Sequence, residues 1–383
     1  MPRTIYFDYN ATTPLDPAVR EAMLPFLGEV WGNPSSVHHV GRQARALLDE
    51  ARDRCARVLV CKPNEIVFTS GGTESNNLAI FGAARRLKSK GRHLITSSIE
   101  HHAVLHCCEY LAKHEGFDLT VLPVDRSGLV SPDDLVQSIR ADTILVSIMA
   151  ANNEIGTIQP VAELGGLCRE RGVVFHTDTV QWFGKEPFTG LDQFNADLVS
   201  VCAHKFHGPK GTGLLYVRSP LQPDPTQFGG AHENERRAGT ENLAAIIGLT
   251  EAVEQFVRDP VFDSQNMWRF TNRLALVLKD IPGVEIIGSQ QQRLANTLAF
   301  VVQDSDSVAL LAGLDLEGIC ASSGSACSAG SLVPSHVVSA LGYEQKLANA
   351  LVRFSLGRGT TMDEVEQTAS ILPRSIRRVQ RRE

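Results

Sequence analysis

Val199-Ser-Val-Cys-Ala-His-Lys-Phe-His-Gly-Pro-Lys-Gly211 is an apolar, small-residue run that stops abruptly at His204-Lys205. It breaks into a Gly/Pro-rich turn before a second apolar run, Gly213-Leu-Leu-Tyr-Val217. A lysine at the exit of a buried strand is costly unless it is used or paired. Desolvation disfavours the charged form, which lowers the pKa and makes Lys205 a candidate amine nucleophile. An isolated lysine in such a place is more simply a side chain snorkelling out of a strand end. Two companions argue against that here. Upstream, a second apolar run ends in an acid, Gly172-Val-Val-Phe-His-Thr-Asp178. Earlier still, Thr69-Ser-Gly-Gly-Thr-Glu-Ser75 sets a glycine turn at the mouth of a helix, the place where backbone N–H groups bind phosphate.

Outward from these three segments, short apolar runs alternate with helical stretches, the signature of βαβ units. Strands are predicted at Glu65-Ile-Val-Phe-Thr69, His93-Leu-Ile-Thr-Ser97 and Leu119-Thr-Val-Leu122. Others are predicted at Thr143–Met149, Val173–His176 and Leu198–Val201, with helices at roughly 41–60, 75–90, 102–115, 131–140 and 161–171 between them. Strands buried on both faces read as near-continuous apolar runs, as these do. In such sheets ligands bind beyond the strand carboxyl ends. Five polar clusters fall at such ends: Thr69–Thr73, Glu100-His101, Asn152-Asn153, Asp178–Gln181 and His204-Lys205. After about residue 255 the pattern changes to a long polar helix, apolar strands at 283–288, 297–302 and 351–356, an apolar helix at 307–317 and a terminal basic helix. The expected architecture is α/β. A mostly parallel sheet flanked by helices occupies residues 15–255, and a smaller α+β domain is formed by residues 1–14 and 256–383.

At 383 residues the chain can bury a large core. Its net charge of −6 argues against direct nucleic-acid binding. No apolar run approaches membrane-spanning length, and the N-terminus lacks signal-peptide character, so a cytoplasmic protein is expected. The eight cysteines include no Cys-x-x-Cys pair, so neither a zinc ribbon nor a disulfide framework is signalled.

Lysine, acid and phosphate turn are the three protein groups that pyridoxal phosphate needs: a Schiff-base amine, a partner for the pyridinium nitrogen, and N–H donors for the phosphate. Thr73 can cap its helix and offer a hydroxyl. Gln181 has the reach for the ring's phenolic oxygen, and His101 could stack on a ring or move a proton. Cys327 lies in Ala321-Ser-Ser-Gly-Ser-Ala-Cys-Ser-Ala-Gly330, ten small residues that cannot pack a core. A cysteine there is exposed and reactive, unless the stretch is a linker with an incidental thiol. Arg353, inside the apolar run Val352–Leu356, needs an anion partner, either a protein carboxylate or a substrate carboxylate.

Together these residues resemble the cysteine desulfurases, fold-type-I pyridoxal-phosphate enzymes of the class-V aminotransferase group. The resemblance runs through Tyr6-Phe-Asp-Tyr-Asn-Ala-Thr-Thr-Pro14, Gly32-Asn-Pro-Ser-Ser36, Phe68–Ser75, Glu100-His101 and Ala151-Asn-Asn-Glu-Ile-Gly156. It continues through His176-Thr-Asp-Thr-Val-Gln181, Ala203-His-Lys205, Arg236-Arg-Ala-Gly-Thr-Glu-Asn242, Ser322–Cys327 and Val352–Arg358. The cysteine loop and the 236–242 run look like the branch containing the nitrogenase and housekeeping iron–sulfur desulfurases. The resemblance implies Lys205 as the Schiff-base residue, Asp178 at the pyridine nitrogen, His101 stacked on the ring and Gln181 at the phenolic oxygen. It implies phosphate contacts from Gly72, Thr73 and His204, with Thr240 supplied by the second subunit of a homodimer. Asn153 and Arg353 would hold the carboxylate of L-cysteine, and Cys327 would accept its sulfur for delivery to an acceptor such as an iron–sulfur scaffold protein. Cys202 stands where many relatives have a serine, so a thiol, a weaker donor, would meet the phosphate. His102 replaces a proline common after the Glu-His pair. An aminotransferase, a selenocysteine lyase or a sulfur-relay scaffold with little turnover of its own are the alternative readings.

Overall fold

The computed structural model describes residues 4–324 and 334–380. Seven strands form the central sheet, in the spatial order Ile66–Thr69, Gly213–Val217, Leu198–Cys202, Val174–Asp178, Thr143–Ser147, His93–Ser97, Asp118–Leu122. All pairings are parallel except those of Gly213–Val217, which runs antiparallel to both its neighbours. The inner strands are buried along their whole length except at half-buried Val174, and Val, Ile and Leu fill that environment because both faces are covered by helices. Asp118–Leu122, at the edge, is largely exposed and alternates polar with apolar residues.

The predicted helices are present as His39–Leu59, Gly72–Leu87, His102–Glu115, Pro132–Ser138 and Val161–Glu170. Two start points matter for the site. His101 caps His102–Glu115 by accepting from the Ala103 N–H. Gly72–Leu87 starts with no side-chain cap at all. A Cβ on Gly72 would fall 2.7 Å from a Val180 methyl carbon, and one on Gly213 would fall 2.9 Å from the Gly71 Cα. Only glycines let this helix start lie directly on the strand ends.

A separate three-stranded antiparallel sheet, Leu351–Ser355, Thr297–Val302 and Val284–Ile287, packs against helix Ser264–Lys279, which in turn packs against Met362–Gln380. Its apolar core takes in Ile5 and Phe7, because Ile5–Tyr6 pairs in parallel with Ile319–Cys320 and Asp8 bridges Ser355. The first described residues thus travel from this second core toward the end of the large sheet. Among the described residues, no helix is long and apolar enough to cross a membrane.

The segment before Leu243–Phe256 is held down by one buried ion pair. Arg52, on helix His39–Leu59, meets Glu233 through two bonds of 2.6 and 2.8 Å. Glu233 also accepts the Phe68 N–H at 2.9 Å, and its side chain is 1% exposed. Removing one partner strands the other charge in the interior. Glu233→Ala is therefore expected to lower stability by about 3–5 kcal/mol, measured by denaturant unfolding. A loss below about 1 kcal/mol, the range of exposed pairs, would contradict this account.

Candidate active site

The strand ends converge on a cavity of about 250 Å³. Its walls include Gly72, Thr73, His101, Asn153, Asp178, Gln181, Cys202, His204, Lys205 and Arg353. Every one of these was singled out from the sequence, and each of the five strand-end clusters contributes at least one. Glu100 and Asn152 do not. Glu100 is buried and accepts from Ser97 Oγ and the Met149 N–H. Asn152 is spent on the Ile99 carbonyl and the Glu154 and Ile155 N–H groups. Both hold the loops that carry their neighbours.

Lys205 closes the single helical turn Ala203–Lys205 that follows its strand. Its Nζ donates to the Asn10 and Ala11 carbonyls, each at 2.8 Å. Two neutral oxygens solvate an ammonium poorly. Burial lowers the amine's pKa to about 8, and the Arg353 cation acts in the same direction while Cys202, Asp8 and Asp178 oppose. Asp178 ends the adjacent strand. Its Oδ2 accepts from Asn76 Nδ2 at 2.7 Å and its Oδ1 from the Val180 N–H at 2.9 Å. The Asn76 Oδ1 in the same wall is buried without a partner.

The two histidines are held in their uncharged forms. Burial lowers the His101 pKa, against the pull of Asp178, and its Nδ1 is committed to the Ala103 N–H at 3.1 Å. Burial, reinforced by Lys205 and Lys210, takes His204 down to about 4. Its Nδ1 lies 3.1 Å from Thr12 Oγ1. Burial raises the Cys202 thiol, so sulfur here is an uncharged, weak donor.

Arg353 is fully buried. Its sequence context demanded an anion, and the one it has is a protein carboxylate, Asp8, at 2.6 Å. Its Nη1 donates to the carbonyls of Asn153 and Gly324 at 2.7 and 2.5 Å, while its buried Nε has no partner among the described residues. Thr240 is not in this cavity. It lines a smaller one with Thr69, Ser70, Thr212 and Arg237. Cys327 lies outside the described residues, though Gly324, ahead of it in the chain, is in the cavity wall.

Sequence reasoning assigned no role to Asn10, Ala11, Asn76 or Asp8. Asn10 and Ala11 come from the Tyr6–Pro14 run, which has neither helical nor strand periodicity to place it. Their position is set by contacts with distant segments, from Asn153 and Gln181 to Thr297 and Ser355.

The donor set fits pyridoxal phosphate. An uncapped helix N-terminus offers free N–H groups for a phosphate. The carboxylate of Asp178 has lone pairs to spare for a ring nitrogen, and the Lys205 amine is bound only by carbonyls.

In three dimensions the chain is similar to a solved NifS-like protein, with a TM-score of 0.89 and 36% identity over 97% of this chain and 98% of that one. It is also similar to a NifS-like protein from Rickettsia africae, with a TM-score of 0.86 and 31% identity over 97% and 99% of the two chains. Fold and cavity together therefore define a NifS-like α/β protein. The aminotransferase class-V profile matches residues 5–368. The cysteine desulfurase IscS of Dictyoglomus turgidum is 48% identical over 380 residues, 99% of this chain and 96% of that protein. That of Methanosarcina thermophila is 45% identical over 377 residues, 98% and 93% respectively. The chain belongs to the aminotransferase class-V family, in its cysteine desulfurase branch.

The Lys205 environment makes a prediction that needs no substrate. In cofactor-free protein, labelling of Lys205 by a trace amine reagent should be half-maximal near pH 8, while exposed lysines titrate near about 10.4. Peptide mapping across a pH series reads this directly. A Lys205 profile that follows the exposed lysines would refute the burial argument.

Proposed function

We propose that this cavity is the active site of a pyridoxal-phosphate-dependent cysteine desulfurase. It converts L-cysteine to L-alanine and leaves the sulfur as a persulfide on Cys327, for transfer to an acceptor such as an iron–sulfur scaffold protein. The observation that carries the reading is the Lys205 amine, depressed to about 8 and facing one cavity with Asp178, His101 and an uncapped helix start.

Pyridoxal phosphate bound here would supply an electron sink for the carbon that loses its proton. The protein's own groups have distinct tasks. Gly72 and Thr73 would hold the phosphate through the helix start, joined by His204 and, more weakly, by Cys202. Asp178, fixed by Asn76 and Val180, would hold a proton on the ring nitrogen. Gln181 would donate to the phenolic oxygen, and the neutral His101 would lie against the ring. Arg353 and Asn153 would orient the substrate carboxylate. Arg353 lines the cavity, and its planar guanidinium suits bidentate recognition of a carboxylate.

Near neutrality a useful fraction of the Lys205 amine is uncharged, so its Nζ can take the α-proton. The Cys327 thiolate then attacks the substrate sulfur. An S–S bond forms as the C–S bond breaks, the bonding pair stays with carbon, and carbon takes a proton. One cysteine and one thiol thus give one alanine and one persulfide, with no external oxidant.

The dimer is part of the same reading. Thr240 sits in its own small cavity beside Arg237 and would serve a neighbouring copy's phosphate. The large apolar side chains Leu27, Trp31, Val37 and Phe228 are 69–87% exposed, a surface that supports burial against a second copy.

Lys205→Ala should lower alanine production from cysteine by at least about 10²–10⁴-fold without unfolding the protein, assayed against circular dichroism. Cys327→Ser should still bind the cofactor yet release almost no alanine, since a hydroxyl is a poor nucleophile toward sulfur. Near wild-type alanine from that variant would favour a lyase or transaminase instead. Cys202→Ser replaces a thiol with a better donor. It should tighten pyridoxal phosphate by about fivefold, the worth of one hydrogen bond of about 1 kcal/mol, measured by cofactor titration of the apoprotein.

A further inference from the structure

Lys185 stands behind the cavity wall and is 1% exposed. Its amine donates to Asn10 Oδ1 at 2.8 Å and to Gln181 Oε1 at 2.6 Å. Both partners are neutral amide oxygens. Burial drives its pKa well below the ordinary lysine value, Lys205 and Arg353 add to the effect, and Glu186 opposes it. An ammonium group carries three N–H donors and a neutral amine two. The two bonds made here are the complement of a neutral amine.

These bonds fix the neighbouring amide from both ends. Gln181 Oε1 takes the Lys185 N–H, and Gln181 Nε2 gives one hydrogen to the Asn10 carbonyl at 2.9 Å. The second Nε2 hydrogen is the amide's remaining donor, on a residue that lines the cavity. A flipped amide would set Oε1 against the Asn10 carbonyl, a repulsion in place of a hydrogen bond, and would take from the Lys185 N–H its Oε1 acceptor.

We propose that Lys185, uncharged, is a positioning residue that locks the Gln181 amide so that it presents an N–H donor, and not a carbonyl oxygen, to the cavity. The proposal rests on the cofactor reading above, in which that donor meets the phenolic oxygen. Lys185 touches neither substrate nor cofactor and acts through Gln181. A neutral amine between two amides adds no net charge beside a cavity already holding Lys205 and Arg353.

The test has a cofactor-free and a cofactor-bound arm. In cofactor-free protein, between the folded-state pKa of Lys185 and about 10.4, the unfolded chain binds a proton that the folded chain lacks, so stability rises with pH. Lys205 contributes in the same sense in both proteins and cancels in the comparison. Wild type should therefore take up one more proton on unfolding than Lys185→Met, read as the difference in slope of stability against pH. Equal slopes would mean a charged Lys185 and overturn the proposal.

In cofactor-bound protein the readout is the pKa at which the cofactor's visible band titrates. A donor to the phenolic oxygen lowers that pKa by stabilising the oxygen's charge. Lys185→Met and Gln181→Ala should each raise it by about one unit, and the double variant should go no further than Gln181→Ala alone. Lys185→Gln, whose –NH2 offers the same two donors, should return the band to near its wild-type pKa, and it serves as the working variant should Lys185→Met fold poorly. Additive shifts, or an unmoved band in Lys185→Met, overturn the positioning role. A wild type with no visible band would refute the cofactor reading itself, a result distinct from a normal band that Lys185→Met leaves unmoved.

Discussion

Asn10 is the junction on which the site depends. Its carbonyl accepts from both Lys205 and Gln181, and its side-chain oxygen accepts from Lys185. Its Nδ2 donates to Thr297 Oγ1 at 2.9 Å and more weakly to the Asn153 carbonyl at 3.3 Å, while its backbone N–H donates to Ser355 Oγ. One buried residue therefore ties the strand ends of the seven-stranded sheet to the three-stranded sheet. A buried amide with every group engaged fixes geometry strongly, because any displacement strands several polar atoms at once.

The electrostatics follow from that junction. Three basic side chains, Lys185, Lys205 and Arg353, lie in or behind one cavity. They meet them with two kinds of partner. Arg353 has a carboxylate, Asp8, at 2.6 Å. The two lysines have only amide and carbonyl oxygens. Guanidinium does not lose its proton in a protein interior and needs a counter-charge. The amines have no counter-charge, and burial weakens their hold on a proton, which is how burial turns a lysine toward a base.

Much of this was legible in the chain. The alternation of apolar runs and helices marks six of the seven strands of the central sheet, because strands buried on both faces have few polar residues to blur them; Gly213–Val217 is marked only as an apolar run. The polar clusters at their ends converged as expected, since strand polarity alone sends them to one edge. The strand expected over Thr143–Met149 ends at Ser147: the Met149 N–H turns to Glu100, while the Ile148 and Ala150 N–H groups still donate to the His176 and Asp178 carbonyls. Apolar character does not mark that change. The contributions of Asn10, Asp8 and Lys185 were hidden for another reason. Each depends on a contact between distant segments, and nothing local distinguishes Asn10 from a loop asparagine or Lys185 from a surface lysine. Arg353 was half legible: its need for an anion followed from its apolar strand, but the identity of that anion, Asp8, did not.

The parallel pairing of Ile5–Tyr6 with Ile319–Cys320 bears on how the protein is made. Residues 5–10 are synthesised long before the strands they meet, since Asn10 finds Ser355 across 345 positions. Until then the Lys205 amine lacks its two carbonyl partners, and Lys185 and Gln181 lack theirs. A nascent or truncated chain can therefore build most of the large sheet while its reactive centre stays unassembled. Long-range closure of this kind is slow, and here it ties chemical competence to the meeting of segments more than 300 positions apart.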